Sequence, residues 1–126
     1  MPEMTNPNHL SPLTLAFMGD AVYEILVRES IVTAANRQSK KLHNESIKMV
    51  NASAQAKAAE FIFDHLTDEE KAVYKRGKNA HVDHFPKGAT PMEYNMATGL
   101  EALFGWLHLC GKSDRINEIF ALIKNK

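Results

Sequence analysis

Apolar residues recur at helical spacing along almost the whole chain, and no strand-like alternation bounded by hairpin turns interrupts them, so the pattern predicts an all-α fold. The first helix opens at Ser11-Pro12, a cap followed by proline at the first helical position, and carries Leu15, Met18, Val22, Ile25 and Leu26. After a polar break over Asn36 to Ser39, the spacing predicts an alanine-rich second helix that uses Ile47, Val50, Ala54, Ala58, Phe61 and Ile62. Thr67-Asp68-Glu69-Glu70 is a capping box for a short third helix ending near Arg76-Gly77. Residues 77–89 read as a mobile loop, with glycines at 77 and 88 to let it adapt. Thr90-Pro91-Met92-Glu93 combines a second capping box with an early proline, Gly111 ends the helix it begins, and Ser113 caps a last one carrying Ile116, Ile119, Phe120 and Ile123.

Two of these helices carry an oddity. Leu15-Ala16-Phe17-Met18-Gly19-Asp20-Ala21-Val22-Tyr23-Glu24 sets an acid directly behind a glycine, and Thr98-Gly99-Leu100-Glu101-Ala102-Leu103-Phe104-Gly105 sets another among small residues. Glycine weakens a helix, and an ionised carboxylate packed against another element loses solvation, so the arrangement is easiest to explain if Asp20 and Glu101 hold a cation. At about 100° per residue both acids fall off the apolar stripes of their helices, beside neighbours small enough to allow close backbone approach. Oxygen ligands from two helices suit Mg²⁺, with Mn²⁺ as a substitute, and such a site activates water and stabilises a leaving oxygen. From spacing alone a solvated helix face is the plainer reading of either acid. Phe17 lies about 130° from the centre of its helix's apolar stripe, which implies a second burial partner, another helix of the same chain being the plain reading.

Composition sets bounds on these readings. With 126 residues, 44% hydrophobic and 24% charged, the expectation is one domain over 1–126, its ordered core at about 11–125. The single cysteine, Cys110, excludes an internal disulfide or a zinc ribbon, and Trp106 and His108 read as packing and rim residues. With neither a leader nor a membrane-spanning run in view, a soluble cytoplasmic protein without a membrane partner is expected. Fifteen basic and fifteen acidic residues cancel, so a nucleic-acid surface must come from local clustering. One cluster comprises Lys71, Lys75, Arg76, Lys78 and Lys87, with His81 and His84 between the last two; the other comprises Arg37, Lys40, Lys41 and His43. His81 and His84, three apart, are a weak zinc signal.

The Leu15–Glu24 segment resembles the signature helix of the ribonuclease III endonuclease domain. The Thr98–Gly105 segment resembles the family's other metal-binding helix, and Lys75-Arg76-Gly77-Lys78-Asn79-Ala80 the stretch before it. With Leu42-His43 and Ala52-Ser53-Ala54-Gln55, the matches span most of the chain and resemble the Mini-ribonuclease III branch, which lacks a double-stranded-RNA-binding domain.

This resemblance implies a helical bundle working as a two-fold homodimer, with Asp20 and Glu101 as metal ligands and catalytic acids and Phe17 entering the partner subunit. It also implies magnesium-dependent endonucleolytic cleavage of double-stranded RNA, leaving 5′-phosphate and 3′-hydroxyl ends. The implied substrate is a duplexed precursor of large-subunit (23S) ribosomal RNA, with a ribosomal protein as a possible assistant. Lys75, Arg76, Lys78, Lys87, Arg37, Lys41 and His43 are the candidates for RNA phosphate contacts. Two positions depart from the four-acid pattern of larger relatives: Ala16 stands one turn before Asp20 and Thr98 one turn before Glu101. A dimer that grips structured RNA in ribosome assembly without cutting is therefore the rival expectation, and a phosphohydrolase for small substrates is a third.

Overall fold

In the computed structural model, which describes residues 5–80 and 88–126, the chain folds into α1 (Pro12–Ala34), α2 (Ser39–Val50), α3 (Ala52–Ile62), α4 (Asp68–Lys78), α5 (Pro91–Leu109) and α6 (Ser113–Lys124). Single 3-10 turns lie at Pro7–His9 and Phe63–His65, and no strand occurs among the described residues. No helix among them is long and apolar enough to cross a membrane.

Local chemistry sets most helix ends. The Ser11 hydroxyl accepts from the Thr14 amide at 3.2 Å. Both capping boxes close reciprocally: Thr67 and Glu70 exchange bonds at the start of α4, and Thr90 and Glu93 at the start of α5. Gly111, with φ +74°, turns the chain out of α5.

Three boundaries differ from the expectation. The alanine-rich helix is two helices, because Asn51 stands between α2 and α3 in extended conformation (φ −71°, ψ 157°). Its amide nitrogen donates to the carbonyls of Ile47 and Lys48, while its side-chain oxygen accepts from the Ala54 amide, so one side chain closes α2 and opens α3. Gly77 and Lys78 belong to α4 rather than to a loop, and Gly77 is a packing residue: a Cβ there would lie 2.7 Å from the Ala102 Cβ and 2.9 Å from the Gly99 Cα. Residues 81–87 of the expected loop lie outside the described residues. Ser113 is the first residue of α6, and Lys112 holds the cap position without a side-chain cap bond.

The central element is α5, which packs against α1, α3, α4 and α6. From Ala97 to Leu107 every residue is buried except Glu101, which is half-buried, so this helix has no solvated face over that length. Aromatic edges bind α1 to the centre, Tyr23 meeting Phe104 at 5.2 Å and Phe120 at 5.8 Å between centroids. The periphery is fastened by Arg115 of α6, which donates to both carboxylate oxygens of Glu70 at 2.8 Å and to the carbonyl of His65. Burial opposes charge on Glu70, but those bonds and the Thr67 cap outweigh it and hold the carboxyl below its usual range.

Where α1 crosses α5 the two backbones touch. A Cβ on Gly19 would collide with the Glu101 carbonyl and sit 2.8 Å from the Gly105 nitrogen; one on Gly105 would collide with the Leu15 carbonyl and sit 2.9 Å from the Gly19 nitrogen. Alanine in place of a helical glycine ordinarily stabilises by about 0.5–1 kcal/mol. Here Gly19→Ala and Gly105→Ala should each destabilise by about 3 kcal/mol or more, because backbone has to move. Chemical denaturation of the two variants measures this, and a gain in stability would refute the contact.

Candidate active site

Because α1 and α5 meet backbone to backbone at Gly19 and Gly105, the residues flanking those glycines are forced together. Asp20 follows Gly19 directly, and Glu101 lies one turn before Gly105. Their carboxyl groups come within hydrogen-bonding reach. Ala16, Phe17 and Asp20 from α1 and Tyr94, Ala97 and Glu101 from α5 line an open cleft of about 350 Å³. The α2–α3 junction closes its far side with Val50, Ala52 and Gln55.

Burial is divided unequally between the acids. Asp20 is exposed, so the expectation that it loses its solvation against another element is not met; that loss falls on half-buried Glu101. Desolvation, followed by a hydrogen bond to Asp20 and by its charge, pushes the Glu101 carboxyl up to about 8, against a bond from Gln55 that favours the charged form. The metal-free pair therefore retains a proton near neutral pH. Tyr23, beneath it, stays protonated because burial, and then the Glu101 charge, raise its hydroxyl above the usual phenol value.

A paired carboxylate that holds a proton because burial and a neighbouring acid both oppose its charge can exchange that proton for a cation, and its hard oxygen donors on two rigid helices suit Mg²⁺ or Mn²⁺. Among the described residues no third acidic, histidine or cysteine side chain joins them as a metal-holding group. Ala16 offers only a methyl group to the cleft wall. Thr98 is buried, its hydroxyl donating to the Tyr94 carbonyl at 3.0 Å.

Other residues singled out by the sequence are distributed around this pair. Glu24 is engaged elsewhere, with Arg28 at 2.8 Å and the Ser46 hydroxyl at 3.3 Å. Phe17 is 83% exposed, which removes the expectation that another helix of the same chain covers it. Lys75, Arg76 and Lys78 sit in the last turn of α4; Lys75 lies 5.6 Å from the Phe63 ring centre, and Arg76 donates to the Leu10 carbonyl at 3.4 Å. Arg37 is ion-paired with Glu45, and Lys41 and His43 are exposed on α2. As α2 packs on α1 and α3 while α4 packs on α5 and α1, the two basic groups ride on separately anchored helices. Lys87, His81 and His84 lie outside the described residues.

Sequence reasoning missed Gln55 as a site residue. It is 3% exposed, on the face of α3 that also buries Ala59 and Ile62. A polar side chain on an otherwise apolar helical stripe was the available signal.

An all-α protein whose central helices present such an acid pair at the floor of an open cleft is a helical protein with a paired-carboxylate centre. The model of the family described as "Ribonuclease III domain" matches residues 13–112. The chain is 45% identical over 113 residues to a Mini-ribonuclease 3 from Thermoanaerobacter sp. (strain X514), covering 90% of this chain and 80% of that protein. It is 41% identical over 116 residues to one from Symbiobacterium thermophilum, covering 92% and 89%. A crystal structure of a Fusobacterium nucleatum protein superposes with a TM-score of 0.88 at 32% identity, covering 97% of this chain and 98% of that one. The chain belongs to the ribonuclease III family, in its Mini-ribonuclease III branch.

The raised Glu101 carboxyl fixes how stability depends on pH. Between the unfolded value of 4.5 and about 8 the native chain binds more protons than the unfolded one, so this stabilisation is complete below pH 4.5 and is lost as pH rises through 8. In EDTA at pH 8, Glu101→Gln should be more stable than the parent by a few kcal/mol, which is roughly 5 °C or more in melting temperature. At pH 4.5 the difference should vanish. Thermal denaturation at both values checks it, and a variant that is less stable at pH 8 would contradict the buried repulsion.

Proposed function

We propose that the chain is a homodimeric, divalent-metal-dependent endoribonuclease that hydrolyses double-stranded RNA. The observation that carries this reading is the meeting of Asp20 and Glu101 at the glycine crossing, with Glu101 driven to keep a proton unless a cation replaces it. Magnesium, or manganese in its place, would supply activation of water and neutralisation of charge at the phosphorus. The chain's part is to hold two anionic oxygens at a fixed separation on rigid helices and to keep one side of the cleft open to a polyanion. Water adds its oxygen to phosphorus, the bond from phosphorus to the 3′ oxygen breaks, and that oxygen takes a proton, leaving 5′-phosphate and 3′-hydroxyl ends.

Two carboxylates bind a divalent ion less tightly than four, so RNA phosphate oxygens are expected to complete the ligand set. Lys75, Arg76 and Lys78, with Arg37, Lys41 and His43, are assigned to the phosphate backbone, which supplies most of the affinity for an A-form duplex. The proposed natural substrate, from the likeness to Mini-ribonuclease III, is duplexed precursor of large-subunit ribosomal RNA. The exposed face of α1 supports the dimer: Leu13, Phe17, Ile25 and Val32 are 43%, 83%, 56% and 53% exposed. They fall within about 120° of the helix circumference, an apolar strip fit for a second copy of the same surface.

Incubation with labelled duplex RNA tests the activity. Cleavage with Mg²⁺ should stop on chelation and fall at least about 1,000-fold in Glu101→Gln, with RNA still bound. Binding without any product under all metal conditions would favour the dimer that grips RNA without cutting. The assembly has its own test: Phe17→Ser should weaken self-association by about 10-fold or more in sedimentation equilibrium, as removal of a central aromatic anchor does. An unchanged association constant would take Phe17 out of the interface.

A further inference from the structure

One polar side chain behind the acid pair has no role in the reading above. Gln55 is 3% exposed, lines the same cleft as Asp20 and Glu101, and its amide lies within reach of the Glu101 carboxylate, whose charged form it favours. It projects from the first turns of α3, a helix whose start is locked by the Asn51 cap, with the Ala54 amide 2.8 Å from the Asn51 side-chain oxygen. The break at Asn51 lets α3 take its own direction and pack on α5, and Gln55, on the buried side of α3, reaches the cleft that Glu101 also lines.

We propose that Gln55 is a positioning residue, whose buried amide holds the Glu101 carboxylate in the orientation that accepts a divalent cation together with Asp20. The proposal rests on reading the pair as a cation site. A glutamate free to rotate about its side-chain bonds would spread its oxygens over several positions, whereas a buried donor on a rigid helix selects one. The chemistry also favours an amide here over a charged partner. A lysine or arginine would neutralise Glu101 permanently and compete with the metal, and another acid would add to the repulsion that burial already makes severe. A neutral N–H favours the ionised carboxylate and leaves its charge available. With Ala16 and Thr98 where larger relatives carry acids, this buried amide would do by orientation part of what extra ligands do by charge.

The test uses the whole chain without RNA. Mn²⁺ uptake, followed by the electron paramagnetic resonance signal of the free ion, should be about 10–100-fold weaker in Gln55→Met, the range expected when a group that orients a ligand is lost. The melting temperature in EDTA should stay within about 4 °C of the parent, since the side chain's volume is kept. Unchanged Mn²⁺ affinity, with or without a lowered melting temperature, would overturn the proposal. With Gln55 in place, one of its side-chain amide protons should move in the nuclear magnetic resonance spectrum on Glu101→Gln; an unmoved resonance would equally overturn it, even if Gln55→Met fails to fold. A parent chain that takes up no Mn²⁺ at all overturns the cation site itself, whereas parent uptake matched by Gln55→Met removes only Gln55.

Discussion

The contact between the α1 and α5 backbones at Gly19 and Gly105 is the constraint from which the site follows. Two helices with ordinary side chains at their crossing keep their axes about 8–10 Å apart. Glycine on both sides removes that spacing, and the neighbouring residues inherit the closeness. Asp20 and Glu101 meet because each lies within a turn of a position where no Cβ fits. The second glycine contact, Gly77 of α4 against Gly99 of α5, acts in the same way on another face of the central helix. Helix α5 is thus gripped closely from two directions, and the one carboxylate it carries in its buried stretch has little freedom to retreat.

That arrangement sets stability against readiness for a cation. A protein selected for stability alone would have no reason to place a carboxylate where burial and a neighbouring acid both oppose its charge. The reduced acid set limits the conflict. If Ala16, which lines the cleft beside Asp20, were a glutamate, the metal-free repulsion would spread over three groups. Thr98 turns its hydroxyl onto the Tyr94 carbonyl and adds no charge. A lean pair, beside the neutral Gln55, limits what the chain loses in stability by burying Glu101 next to another acid.

What could be read from the sequence divides by the range of the interaction responsible. The Thr67–Glu70 and Thr90–Glu93 boxes, the Ser11 cap and the Gly111 turn are written within four residues, and the helices begin and end there as expected. The break at Asn51 was hidden because the apolar spacing continues through it, while the residue that stops one helix starts the next. Gly77 was misread because a glycine can signal either freedom or smallness, and only the packing partner tells which. The wheel placed Asp20 and Glu101 on faces with small neighbours, which is correct, but it could not divide the burial between them. The Arg115–Glu70 clamp spans forty-five positions, and no local pattern announces it.

The division of labour along α1 carries the argument one step further. Within a single helical turn it presents Phe17 outward, Ala16 into the cleft wall, Gly19 against α5 and Asp20 toward Glu101. A rigid helix cannot alter one of these placements without altering the rest. A rotation of α1 that buried Phe17 against its own chain would lift Gly19 off α5 and separate the acids. The exposure of a large aromatic is therefore tied by helical geometry to the closeness of the carboxylates, and a second copy covering Phe17 would hold α1 in the rotation that keeps them together.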